Sequence, residues 1–387
     1  MQSRRMAGRV VLALALALGV LVVTVAAQED LYLPTIRGGG VAVPTVSPGP
    51  TVSPEPIELT WETTLIDSDG DVGMDTSLAL GRSGEVYISY YDWGNGDLKL
   101  ATYDGTSWST ETIDEDGDVG TYTSLVVDAA GGLHISYHDQ GEGHLRYAHR
   151  AGGQWTFSVV DDSVDVGLYT SLALDAAGRP HISYYDLPNG DLKYAVWTGT
   201  AWEAVTVDSG GDAGYYTSLA LDSQGWPHIS YTDWTNRALK YALWNGTDWE
   251  VSTVDDTASV GLYSSLALDS ADRPHISYYD FTHGALKYAH RPEDTWSLLT
   301  VENQESDVGY YTSLVLDAAD RPHISHYDLS HGDLRYSRWT GSAWQSETVD
   351  SEGNVGVYSS IALDAAGAVH ISYYDLGSRN LHYARGR

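Results

Sequence analysis

The hexapeptide His-Ile-Ser-Tyr-Tyr-Asp at residues 181–186 sets an imidazole, a hydroxyl, two phenols and a carboxylate side by side. Such groups ligate metals and move protons in enzyme sites. The same fragment, slightly varied, begins at His134, His228, His275, His323 and His370, and Tyr87 heads a further copy. In an extended strand His181, Ser183 and Tyr185 share one face, and Ile182, Tyr184 and Asp186 the other. The His and the Asp of one copy therefore cannot form a dyad. The His row reads as buried imidazoles bonded to a neighbouring element, with metal ligation as the alternative.

Three further rows carry polar chemistry. The Asp that ends each fragment gives Asp92, Asp139, Asp186, Asp233, Asp280, Asp328 and Asp375. These carboxylates are candidate acceptors for sugar hydroxyls, and equally candidate caps of their own turns. A Tyr row comprises Tyr122, Tyr169, Tyr216, Tyr263, Tyr311 and Tyr358, with Asp75 at the matching place in the first copy. The loops Asp67–Gly73 and Asp114–Gly120 place Asp67, Asp69 and Asp71, then Asp114, Asp116 and Asp118, at alternate positions. That resembles the start of a calcium loop. Both depart from an EF-hand, with Val72 and Val119 where its Gly belongs and no Glu at the twelfth position. Ca2+ is the one candidate ion, and no cofactor is required.

The repeat dictates which elements hold these rows. The pairs Val72-Gly73, Val119-Gly120, Val166-Gly167, Ala213-Gly214, Val260-Gly261, Val308-Gly309 and Val355-Gly356 recur every 47 residues, with one step of 48. Each copy holds four short runs rich in β-branched and aromatic residues, separated by Gly- and Pro-bearing turns, which predicts an antiparallel meander. Four strands per repeat of this length predict an all-β seven-bladed β-propeller, with no helices. The last copy lacks a fourth strand, and residues 60–67 supply one ahead of the first. The matched series Trp61, Trp108, Trp155, Trp202, Trp249, Trp296 and Trp344 then counts seven fourth strands. Pairing the two ends would close the ring and remove its open edges.

On the face here called top lie the fourth-to-first and second-to-third connections. The Tyr row, the loop carboxylates and the Asp row converge there, and the His row begins near the bottom. The second-to-third loops vary most, and variable loops on a rigid scaffold carry function. In them Trp93, Trp234 and Phe281 are candidate platforms for sugar faces, and Asn95, Asn189, His283 and His331 candidate partners for hydroxyls.

Outside the repeats, residues 1–27 read as an export signal, with Arg4, Arg5 and Arg9 before an apolar run and Val25-Ala26-Ala27 as a cleavage site. An uncleaved anchor is the alternative, because the run approaches spanning length. Residues 28–56, rich in Pro, Gly, Ser and Thr, read as a tether, and 57–387 as the propeller. The chain has no Cys, so core and backbone pairing alone must stabilise it. Its 53 acidic and 21 basic residues, formal charge −32, disfavour nucleic acid and anionic membrane surfaces as partners.

The copies, with Ser-Leu-Ala-Leu-Asp, Pro-His-Ile-Ser-Tyr-Tyr-Asp, Leu-Lys-Tyr-Ala and a following Trp, resemble secreted bacterial propeller repeats loosely grouped with sialidase-like and lectin-type propellers. The resemblance covers about 57–387 and implies the fold. A sialidase would further imply Ser-x-Asp-x-Gly-x-Thr-Trp boxes and three convergent Arg. The turns before Trp108, Trp202, Trp249 and Trp344 keep the Gly and the Trp without the box spacing. Arg179, Arg273 and Arg321 occupy one repeated bottom turn, so the activity does not carry over. The expectation is an exported, monomeric, non-enzymatic propeller that binds a glycan or an extracellular protein through Asp92 and its counterparts, Trp93, Trp234, Tyr122, Tyr169 and Tyr216. A sialidase-like glycoside hydrolase or lyase, and a structural cell-envelope module, are the alternatives.

Overall fold

The computed structural model describes residues 58–303 and 306–387. The expected export signal and tether lie outside the described residues. The described residues form 28 strands and no helix, in seven four-stranded antiparallel sheets. Strands are numbered in chain order: β1 (Trp61–Asp67), β2 (Val72–Leu80), β3 (Val86–Asp92), β4 (Asp97–Tyr103) and β5 (Trp108–Asp114) open the chain. Blade 1 is β2–β5. Blade 2 is β6 (Val119–Val127), β7 (Leu133–Asp139), β8 (His144–Ala151) and β9 (Gln154–Asp161). Blades 3 to 6 cover 166–208, 213–255, 260–302 and 308–350. Blade 7 joins β26 (Val355–Leu363), β27 (Val369–Asp375) and β28 (Asn380–Gly386) to β1, so the N-terminal strand closes the ring as the repeat count predicts.

Strand chemistry follows from position. In blades 3 to 6, Pro180, Pro227, Pro274 and Pro322 each open a second strand, a place where the missing N–H costs little. The second strand is buried along nearly its whole length in every blade. Each hydrophobic cluster then spans two blades. Leu98 and Leu100 of blade 1, for example, pack with Val119, Leu125, Ile135 and Tyr137 of blade 2. Six Trp of the matched series meet a third-strand Tyr of the preceding blade at 5.1–5.4 Å between ring centroids, as Trp202 meets Tyr147.

The seam between blades is polar as well as apolar. The fragment Ser pairs with a first-strand Thr or Ser of the next blade at 2.5–3.0 Å, in all seven seams, as Ser183 does with Thr217. One Ser further into each first strand, such as Ser77, accepts the backbone N–H of Leu125 in the next blade, again seven times. The fourth-strand acid bridges outward in the same way. Asp161 accepts the Tyr184 hydroxyl at 2.6 Å and the Lys193 ammonium at 2.5 Å, both from the next blade. Between blades 5 and 6 all three residues change together, to Glu302, His326 and Arg335: Arg335 pairs with Glu302 at 2.5 Å, and His326 Nε2 bonds to Ser337 instead.

The Gly of each Val-Gly pair sits where the backbones of adjacent blades come closest. At Gly120, φ is +107° and a Cβ would lie 2.7 Å from the Leu98 Cα. At nearby Gly117, φ is +110° and a Cβ would meet nothing within 4 Å. Gly117→Ala therefore suffers only backbone strain, whereas Gly120→Ala also forces the seam apart. Urea unfolding should show Gly120→Ala to be less stable than Gly117→Ala by about 1–3 kcal/mol.

Candidate functional site

The top face is built in three concentric tiers. At the axis stand Asp75, Tyr122, Tyr169, Tyr216, Tyr263, Tyr311 and Tyr358, each with φ between +52° and +55°. This left-handed residue, three before the Leu that docks on the neighbouring blade's Ser, turns its side chain inward. Adjacent Tyr rings are 4.5–4.7 Å apart. With the Thr and Ser that follow them they line a cavity of about 190 Å³. Burial pushes the Tyr hydroxyls well above their ordinary range, so they are neutral donors rather than bases. Asp75 is the one carboxylate in this tier. Burial raises its pKa to about 6, although the Tyr122 backbone N–H donates to its Oδ2 at 2.8 Å.

The middle tier joins neighbouring blades. The second Tyr of the fragment donates to the residue before the next Val-Gly pair: Tyr91 to Asp118, Tyr185 to Asp212, Tyr279 to Asp307, Tyr327 to Asn354 and Tyr374 to Asp71, at 2.5–2.6 Å. Tyr215 and Tyr310 extend two of these pairs, their hydroxyl oxygens standing 3.1 and 2.9 Å from those of Tyr185 and Tyr279. In blade 2 a buried His138 replaces the Tyr, and burial lowers its pKa to about 4.

The outer tier is apolar and exposed. The residue after each second-strand Asp is Trp93, Leu187, Trp234, Phe281, Leu329 or Leu376, each 45–51% exposed, with Gln140 as the exception. Trp93, Trp234 and Phe281 stand at 5.8–6.4 Å from Tyr91, Tyr215 and Tyr279 of the middle tier.

The sequence-predicted residues separate accordingly. Asp92, Asp139, Asp186, Asp233, Asp280, Asp328 and Asp375 are 1–5% exposed. Each accepts backbone N–H groups of its own turn, from Asn95, Glu142, Asn189, Asn236, His283, His331 and Ser378. They thus fill the capping role, and the side chains of Asn95, Asn189, His283 and His331 bond to them as well. Their carboxylates are turned into the turns and away from the exposed tier.

The acidic loops do not gather their carboxylates into one cluster. Asp67 takes Tyr90 and Lys99, and Asp114 takes Tyr137 and Arg146. Asp71 and Asp118 take the phenols of Tyr374 and Tyr91, while Asp69 and Asp116 donate their backbone N–H to Asp67 and Asp114. Tyr122, Tyr169 and Tyr216 are brought together at the axis, and Trp93 and Trp234 at the rim. Sequence reasoning passed over Leu187, Leu329 and Leu376, although their one shared position after the Asp was a legible signal. Arg179, Arg273 and Arg321 each bind the Asp of their own turn at 2.6 Å, so they form no convergent triad.

No family model and no curated protein matches the chain. Solved structures match it as a fold. A catalytically inactive virginiamycin B lyase from Staphylococcus aureus, with quinupristin, is 10% identical at a TM-score of 0.60, covering 84% of this chain and 99% of that one. A polysaccharide lyase of family 25, an ulvan lyase bound to -[GlcA(1-4)Rha3S]-, is 14% identical at 0.53, over 81% and 96%. An α-L-arabinofuranosidase from Fusarium graminearum, in complex with an iminosugar inhibitor, is 9% identical at 0.51, over 85% and 97%.

The axial carboxylate makes a pH signature. With its folded pKa raised from 3.8 to about 6, Asp75 holds a proton that the unfolded chain has already lost. Its contribution to stability is present below about pH 4 and is lost as the pH rises to about 6 and above. Asp75→Asn should therefore be more thermostable than the parent at pH 7.5. The difference in melting temperature should shrink as the pH is lowered to 4, and an unchanging difference would refute the assignment.

Proposed function

We propose that the chain is a binding propeller without catalytic activity of its own, and that it takes a carbohydrate on its top face. The observation that carries this reading is the rim of exposed apolar side chains set directly beside hydroxyl and carboxylate groups. A sugar presents an apolar C–H face and a polar edge, and a site that holds it needs a flat platform with a few convergent polar groups. Trp234 with Tyr215, Tyr185 and Asp212 has that composition, as do Trp93 with Tyr91 and Asp118, and Phe281 with Tyr279, Tyr310 and Asp307.

Several such stations on one rigid ring suit a repetitive polymer, because linked weak contacts add through effective concentration. Two neighbours in fold, described as an ulvan lyase and an arabinofuranosidase with saccharide or iminosugar bound, give this reading support. An export signal over 1–27 and a tether over 28–56 would hold the propeller outside the cell, where such polymers occur.

Against cleavage stands the shortage of paired acids and bases. Glycoside hydrolysis typically uses two carboxylates at a set separation, and Asp75 stands alone among phenols that burial keeps protonated. The test is a glycan array probed with and without Ca2+, alongside a panel of fluorogenic glycosides. The expected outcome is retention of a glycan, about ten-fold weaker binding for Trp234→Ala, and no turnover. No retained glycan under either condition, or turnover that Asp75→Asn abolishes, would overturn the proposal.

A further inference from the structure

The bottom face repeats a trio in six blades: the carboxylate after the first strand, the fragment His, and a third-strand Tyr. The His Nδ1 meets the Tyr hydroxyl in each, as His134 meets Tyr147. The Nε2 faces the carboxylate at 3.3–3.7 Å. In most copies something else completes the trio. Arg179, Arg273 and Arg321 occupy Asp175, Asp269 and Asp317, and Arg385 lies 3.3 Å from Asp364. In blade 4 no Arg follows Asp222, and Leu243 stands across from His228.

Blade 2 departs from this pattern twice. Gly132 stands where the Arg would be, and His149 of β8 is the direct cross-strand partner of His134 in β7. The two rings are 4.3 Å apart. One ligand atom each from Asp128, His134 and His149 lies within 4.8 Å of the others, the one such set of three among the described residues. Blade 5 is the internal control. There His290 also stands across from His275, but Arg273 holds Asp269, the rings are 5.9 Å apart, and no such set forms.

We propose that Asp128, His134 and His149 form a binding site for a divalent transition-metal ion, with zinc as the ion of first choice. Two imidazole nitrogens and a carboxylate oxygen are a donor set that zinc accepts, leaving a fourth position open. The supporting shell is in place. Asp128 Oδ1 accepts the backbone N–H groups of Ala130 and Gly132 at 2.7 Å each, and Oδ2 faces His134 Nε2 at 3.3 Å. The Tyr147 hydroxyl at Nδ1 orients the His134 ring and leaves Nε2 for the metal, the outer-shell arrangement that metal-binding His residues use.

His134 and His149 line a cavity of about 320 Å³ together with Phe157, Trp197 and Trp202, with room for a water or a small anion. The site lies on the face opposite the glycan rim and does not depend on that reading.

The test is titration of the untagged full-length chain, stripped of metal, with ZnCl2 against a chromophoric chelator, and with CoCl2 followed by its visible absorption. One ion per chain is expected, with tetrahedral cobalt bands. Affinity should fall at least ten-fold in His149→Val, which installs the residue that blade 3 carries at the same place, and likewise in Asp128→Asn. Far-UV circular dichroism of both variants should match the parent. Absence of binding at millimolar metal, or equal binding by parent and both folded variants, would overturn the site.

Discussion

Everything in this molecule depends on the seam between adjacent blades. A four-stranded sheet of this kind has two large faces, and only its neighbours can cover them. The seam buries Ile, Leu and Tyr, and with them a hydroxyl pair and a Ser-to-backbone hydrogen bond in each of seven copies. Each bond contributes only about 1 kcal/mol net, but a buried hydroxyl or amide left without a partner costs about 1–3 kcal/mol. The seam therefore selects the residues of the recurrent fragment. Its Ser and its first Tyr bond across the seam, its His Nδ1 bonds to a third-strand Tyr of its own blade, and little of it faces solvent.

This explains why chemistry-bearing residues occur so densely without forming seven active sites. The Asp–Lys–Tyr bridges show the logic between blades 5 and 6, where acid, base and aromatic residue all change and the ion pair is kept, between Glu302 and Arg335. The same holds for the turn-capping Asp row, whose oxygens are spent on their own loops. On the readings proposed above, function then lies where the seam does not demand the residue: the rim after each second strand, and the Asp128–His149 pocket below.

The sequence made the fold legible because a 47-residue period and seven matched Trp leave one architecture, and the missing last strand has a visible substitute in Trp61–Asp67. The faces were legible too, since alternation separates His181 from Asp186. What escaped was partner identity. Asp67 looks like the first ligand of a calcium loop because its neighbours are acidic, yet its partners are Tyr90 and Lys99, 23 and 32 residues onward. His149 is inconspicuous in the sequence, because its meaning comes from the cross-strand pairing with His134 and the absence of an Arg at Gly132. The apolar rim is hard to see in the sequence, because Leu187, Leu329 and Leu376 look like core residues until a turn exposes them.

The central claim is that the repeated fragment is seam and that ligand contact falls on the divergent top loops. Hydrogen–deuterium exchange of the chain with and without a bound saccharide tests it most directly. The account predicts added protection in the loops around residues 93–96, 234–237 and 281–284, with the bottom turns unchanged. Protection confined to the bottom turns, or spread evenly over all seven blades, would contradict it.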